Sequence, residues 1–357
     1  MKQRAEWRIL AASGAMSEQR PHRGHALVGA VLGSHRIVGE LASGGMGSVF
    51  RAEHVLLGRP AAVKVLRADL AANHELAERF VNEATAVTAC KHPGIVEVYD
   101  FGYTADGHAF IVMELLQGET LGHRLRRTRL TEREAAAIAL GIASALRAAH
   151  KVGVIHRDLK PDNIILVPDP DGGPDRPKVL DFGIAKLADA ASARVHMTAT
   201  GALIGTPLYM APEQARAAGA IDRRADLYSL GCILYHMLVG RPPFVAEGDG
   251  EVIALQLFAA PEPPSSVVSV TSRMDRLVLR LLEKEPGLRF DCADDVATAL
   301  AALAPLVPAG APWPAGLLAL NDASATLPDG PAPDGPRPKR LPIESTLEPG
   351  KHRRGVP

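Results

Sequence analysis

The chain has 357 residues, 47% hydrophobic and 22% charged, which fits a soluble globular protein with one or two sizeable cores. Forty basic side chains balance forty acidic ones, so no global field singles out nucleic acid or an anionic membrane as a partner. The three cysteines, Cys90, Cys232 and Cys292, are far apart and odd in number, which argues against a disulfide framework or structural zinc and for a reducing, cytoplasmic setting.

In chain order, residues 1–34 read as a flexible arm, with a basic start and an apolar stretch too short and interrupted for a signal peptide. From Ile37 to Met113 the pattern is strand-rich. "SVFRAEH" and "PAAVKVLRA" flank the turn "LLGRP" as a hairpin would, and "IVEVYDFGYTADGHAFIVMEL" reads as two strands around Asp106-Gly107. Between them "NHELAERFVNEATAVTAC" puts Leu76, Phe80, Ala84 and Val87 on one helical face, with Asn73 as N-cap.

After Glu114 the character becomes helical. "TEREAAAIALGIASALRAAHKVG" carries a capping box, Thr131 with Glu134, and stops at Gly153. "RADLYSLGCILYHMLVG" is apolar around most of its circumference, as a buried helix is, and "SRMDRLVLRLLEKEP" and "CADDVATALAAL" add further helix. From Pro305 onward the chain holds 12 of its 28 prolines, including the near-repeat "PDGPAPDGP", so a disordered tail is expected over 304–357. The apolar run from Leu300 is broken by Pro305, Pro308, Pro312 and Pro314, and no membrane segment is read.

The chemistry is concentrated in "VIHRDLKPDNIIL", where His156 to Asn163 fit H-R-D-L-x-x-x-N at full spacing. "VLDFGIAK" follows with Asp181-Phe182-Gly183, then "MAPEQ" with Ala211-Pro212-Glu213. In this order the motifs resemble those of the bacterial eukaryotic-like serine/threonine protein kinases, and the resemblance covers about residues 35–303. It implies an α+β, bilobal fold: a strand-rich N-lobe (35–115) with one regulatory helix, and a larger helical C-lobe (116–303). A second D-F-G, Asp100 to Gly102, precedes the catalytic motif at the end of an alternating strand and reads as structural.

The resemblance assigns roles residue by residue, in a reaction that needs charge neutralisation and in-line positioning more than covalent chemistry. "ELASGGMGSVF" resembles the phosphate-covering glycine loop, with Gly44, Gly47 and Val49 in register but Ala42 where the first glycine stands. Leu41, Gly44, Gly45, Gly47, Val49 and Ala62 would enclose ATP, with Met113 as gatekeeper and Glu114 to Leu116 as the adenine-binding hinge. Lys64 would hold the α- and β-phosphates and pair with Glu83, Glu75 and Glu78 being the alternatives. Asp158 would be the catalytic base or hydroxyl-orienting group, Lys160 a stabiliser of the transferring phosphate, and His156 a packed structural residue. Asn163 and Asp181 would supply oxygen ligands to Mg²⁺, or to Mn²⁺.

Asp181 to Glu213 would be the activation segment. Arg157, next to Asp158, points to control by phosphorylation at Thr198 and Thr200, through a transient homodimer, and Thr206 would line the acceptor pocket. Asp226 would hold the catalytic loop's backbone, and Arg289 would pair with Glu213. The expected activity is phosphoryl transfer from ATP to serine or threonine hydroxyls of protein substrates. A pseudokinase scaffold is the alternative from another class, and a small-molecule kinase of related fold a third; Lys64, Asp158, Asn163 and Asp181 are all present.

Overall fold

The computed structural model describes residues 27–44, 47–67, 84–104, 106–182, 207–216 and 221–303. Six antiparallel strands form the sheet of the small lobe: β1 (Val31–Leu32), β2 (His35–Gly44), β3 (Gly47–His54), β4 (Pro60–Leu66), β5 (Val98–Tyr103) and β6 (Ala109–Glu114). Their order is β1-β2-β3-β4-β6-β5. The turn "LLGRP" is where the sequence puts it, with Gly58 at φ +63°. Asp106-Gly107 turns the chain between β5 and β6, with Gly107 at φ +85°.

The stretch read as arm differs from expectation at its end. Val31 and Leu32 pair with Arg36 and His35, and Leu32 is buried in the small-lobe core. Two strand residues offer too little alternation for a sequence pattern to register.

β4 explains how this lobe is used. It is buried on both faces, so its period-two alternation serves two surfaces. Ala61, Val63 and Val65 join Ile37, Phe50 and Val112 in the lobe's core. Ala62, Lys64 and Leu66 take the opposite face. Register sets Val49 and Ile111 beside Lys64, and Met113 beside Ala62. Residues 84–88 are helical, with Ala84 buried against Leu66 and Ile111.

The large lobe begins with β7 (Glu119–Thr120), α1 (Leu121–Leu125) and α2 (Glu132–Lys151), followed by the hairpin β8 (Ile164–Val167) and β9 (Arg176–Val179). "PDPDGGPDRP" spans the β8–β9 connection, as loop chemistry predicts. α3 (Pro212–Ala215), α4 (Arg224–Val239), α5 (Asp249–Phe258), α6 (Pro264–Val267), α7 (Ser272–Leu281) and α8 (Ala293–Ala301) complete it. α4 is buried along almost its whole length and ends on Gly240 at φ +86°, the left-handed geometry that glycine adopts without strain. Among the described residues, no helix is long and apolar enough to cross a membrane.

The lobes are joined along residues 94–97. Val179 N–H donates to Gly94 O at 2.8 Å, and Val96 N–H donates to Val179 O at 3.1 Å. Glu114, at the end of β6, accepts from Glu97 N–H at 2.8 Å and from Lys178 Nζ.

Candidate active site

The site lies where the cleft face of β4 meets the loop between α2 and β8. Lys64 Nζ is 2.7 Å from Asp181 Oδ1, an ion pair that spans the lobes. Lys64 is largely buried between Val49 and Ile111, which leaves its ammonium the cleft as its polar outlet.

Asp158 is the hub of the adjoining loop. Lys160 Nζ donates to Asp158 Oδ2 at 2.8 Å. Asn163 Nδ2 donates to Asp158 O at 2.9 Å and reaches Oδ2 at 3.4 Å. With its amide hydrogens committed to Asp158, Asn163 has an oxygen left to offer, and Asp181 has its Oδ2 beside the Oδ1 that Lys64 engages. Hard oxygen donors of this kind suit a small divalent cation.

The loop is held rigidly from beneath. Asp226, fully buried on α4, accepts from the backbone N–H of His156 and of Arg157, each at 2.8 Å, and pairs with His150 Nε2 at 2.8 Å. His156 is completely buried. Its Nδ1 accepts from Asp158 N–H at 3.3 Å and its Nε2 donates to Leu180 O at 2.8 Å, which fixes the neutral Nε2–H tautomer. Phe182 packs against the same ring, centroids 4.8 Å apart. Arg157 and Asp181 both adopt left-handed backbone, φ 61° and 45°. Such strain persists where surrounding contacts over-determine it, and Asp226 and Lys64 provide those contacts.

The sequence-predicted residues are thus brought together in part. Lys64, Asp158, Lys160, Asn163 and Asp181 form one hydrogen-bonded and ion-paired group, and Val49, Ala62 and Met113 share the face of the sheet that carries Lys64. Leu41 sits at a register shift between Glu40 and Ala42, and Leu116 is half-buried just beyond β6. Gly44 and Gly47 pair with each other across the loop. Gly45, Glu83, Thr198, Thr200 and Thr206 lie outside the described residues, as do Glu75, Glu78, residues 1–26 and the tail from 304.

Arg289 and Glu213 form a bidentate pair at 2.7 and 2.8 Å, with Arg289 also donating to the carbonyls of Glu283, Arg224 and Lys284. The earlier D-F-G lies on the edge strand β5, where Asp100 Oδ1 accepts from Phe101 N–H at 2.9 Å. Sequence reasoning missed Gln214, whose Nε2 donates to Arg157 O at 2.7 Å and whose Oε1 accepts from Ala211 N–H at 3.1 Å. No sequence signal marks it, because a glutamine on a four-residue helix has no pattern to break. The Glu114–Lys178 pair was missed for the same reason, its partners being assigned only by packing.

Comparison with known proteins agrees with this geometry. The protein kinase domain family matches residues 35–299. Serine/threonine-protein kinase Pkn1 of Myxococcus xanthus is 44% identical over 265 residues, 74% of this chain and 37% of Pkn1. Serine/threonine-protein kinase PknB of Mycolicibacterium smegmatis is 41% identical over 262 residues, 72% of this chain and 40% of PknB. The chain therefore spans well under half the length of these relatives. Among solved structures, the kinase domain of Mycobacterium tuberculosis PknI superposes with a TM-score of 0.61 at 28% identity, covering 77% of this chain and 98% of that domain. Motif order, fold and family match converge: the chain belongs to the protein kinase domain family, and the relatives named above are bacterial serine/threonine-protein kinases.

Proposed function

We propose that this chain transfers the γ-phosphoryl group of ATP to serine or threonine hydroxyls of protein substrates, with residues 35–303 as the catalytic domain. The observation that carries the reading is the group formed by Lys64, Asp181, Asp158, Lys160 and Asn163 at the mouth between the lobes. Asp158 accepts the proton of the acceptor hydroxyl as the oxygen attacks phosphorus, and Lys160, already 2.8 Å away, steadies the charge on the transferring group. Lys64 orients the nucleotide's inner phosphates, and Val49, Ala62 and Met113 give the base an apolar wall. Asn163 and Asp181 would hold Mg²⁺ or Mn²⁺, which neutralises phosphate charge when bound.

Arg157 supports a regulatory role for the activation segment. Its Nε is buried beside Asp158 without a hydrogen-bond partner among the described residues, and a phosphate on Thr198 or Thr200 would supply an acceptor. Loop phosphorylation between two copies of the chain would then be self-activating. Thr206 would border the acceptor pocket, and Glu83 would pair with Lys64. The unpaired thiols of Cys90, Cys232 and Cys292 suit a cytoplasmic setting.

The test is incorporation of labelled phosphate from ATP. Lys64→Met and Asp158→Asn are each expected to abolish it while the melting temperature stays close to wild type. Undiminished incorporation by either variant would overturn the assignment. Phosphosite mapping of an active preparation is expected to find phosphate on Thr198 or Thr200.

A further inference from the structure

Behind the segment that follows Thr206 lies a polar chain that the mechanism above does not use. Gln256, on α5, is 0% exposed and shares the buried side of that helix with Val252. Its Nε2 donates to Leu208 O at 3.0 Å and to Pro207 O at 3.2 Å. Its Oε1 accepts from the hydroxyl of Tyr228, fully buried on α4, at 2.5 Å. That hydroxyl in turn accepts from Lys284 Nζ at 3.1 Å.

Lys284 has an unusual setting. Its ammonium lies 4.0 Å from the centre of the Phe244 ring, reaches Leu255 O at 3.4 Å, and pairs with no carboxylate among the described residues. The carbonyls at the far end of the chain belong to a segment fastened to the catalytic loop. Gln214 holds Arg157 O, and Ser229 Oγ holds Tyr209 O at 2.8 Å. A shift of Pro207 and Leu208 is therefore a shift of the surface beside Asp158.

Resting on the protein-kinase reading, we propose that Lys284, Tyr228 and Gln256 form a proton-directed relay that positions Pro207–Leu208 and thereby sets affinity for the protein acceptor, not for the nucleotide. The direction of the relay follows from donor inventory. An ammonium has three hydrogens and no lone pair, so Tyr228 oxygen must accept from it and aim its own hydrogen at Gln256. That fixes the amide with its NH₂ group toward both carbonyls. A neutral amine has a lone pair, can accept the Tyr228 hydrogen, and leaves Gln256 Oε1 without its donor.

Deprotonation is within reach. Burial pulls the Lys284 ammonium down to about 8, with Arg289 adding repulsion and Glu283 opposing it. Tyr228 and Cys232 are themselves pushed up by burial and stay neutral through that range. Lys284, Tyr228 and Gln256 are positioning residues, since none touches the reacting atoms.

The experiment is steady-state kinetics of the full chain with myelin basic protein as acceptor, from about pH 6.5 to about pH 9.5, bracketing the relay's titration. For wild type, KM for the acceptor is expected to rise about fivefold across that range, the scale of one hydrogen bond, while KM for ATP stays flat. Lys284→Arg, which stays charged, is expected to keep the low acceptor KM at every pH. Lys284→Met and Gln256→Leu are expected to show the raised value throughout. A wild-type acceptor KM that does not change with pH, or a rise that persists in Lys284→Arg, overturns the relay while leaving the kinase reading intact. A wild-type chain that transfers no more phosphate than Asp158→Asn overturns the kinase reading, and the relay with it.

Discussion

A Cβ at position 47 would lie 2.0 Å from the carbonyl oxygen of Val65, far inside contact distance, so β3 can run this close to β4 only with glycine there. Val65 adjoins Lys64, and a strand pushed aside would carry the ammonium away from Asp181. Gly47→Ala is therefore expected to lower kcat/KM at least about tenfold, a loss of the size that small misplacements cause, as read by single-turnover and steady-state assays. Gly44 has open space instead: the nearest atom to its Cβ would be 4.0 Å away. Ala42 belongs with it, since its φ is not positive and it pairs with Val49 just past the register shift at Leu41. Ala42→Gly should leave nucleotide affinity unchanged within about twofold and cost about 0.5–1 kcal/mol in stability, measured by nucleotide titration and denaturant melts. The departure from the family's first glycine is thus without strain, which the sequence could pose as a question but not answer.

Two elements differ in how their ends and contacts are secured, and the cost of breaking each follows. α2 opens on a complete capping box: Thr131 Oγ1 accepts from Glu134 N–H at 3.3 Å, and Glu134 Oε2 accepts from Thr131 N–H at 2.8 Å. Thr131→Ala should cost about 1 kcal/mol by chemical denaturation. α3 is anchored by Glu213 to Arg289, whose side chain is 0% exposed. Glu213→Ala leaves that guanidinium buried without its counter-charge, so a larger loss of about 3–5 kcal/mol is expected in the same assay.

These elements also show where sequence patterns carry information. α2, α4, α7 and α8 were legible because caps, apolar faces and glycine stops are local signals. α5 was not. In "DGEVIALQLF" the polar Gln256 is buried, while Phe258, the largest apolar residue, is 80% exposed. Periodicity cannot find a face that is inverted to serve hydrogen bonds made from another helix.

At the scale of the molecule, two histidines tie acid stability to packing. Burial, with the charge of Arg147 adding to it, pulls His92 down to about 4. Burial likewise pulls His236 down to about 4, with Asp162 opposing. Both are neutral in the fold and make neutral hydrogen bonds: His92 Nδ1 accepts from Gly94 N–H and its Nε2 bonds Ser144 Oγ, while His236 Nδ1 bonds the Tyr209 hydroxyl. Because the unfolded chain binds these protons near pH 6.5, their contribution is complete above that value and is lost as pH falls toward about 4. Melting temperature should therefore decline between about pH 6.5 and 4.5, with the slope reduced in His92→Gln. Glu119 does not account for that window. Burial opposes ionisation of Glu119, but hydrogen bonds from His123, Arg124 and Arg127 hold it down to about 2, so its loss comes at lower pH.

The sequence by itself determined which chemistry-bearing residues are present, their order, and the caps and turns that bound many elements, because those depend on neighbours a few residues away. Motif order and the family resemblance singled out Lys64, Asp158, Lys160, Asn163 and Asp181 as one candidate site. Only the tertiary structure decided which atoms meet: Lys64 on Asp181, Asp226 beneath a loop 70 residues earlier, Gln214 against Arg157, and Gln256 behind Leu208. Side-chain hydrogen bonds across such separations leave no periodicity in the chain. They exist because burial removes water as the alternative partner, and packing then determines which donor can reach which acceptor.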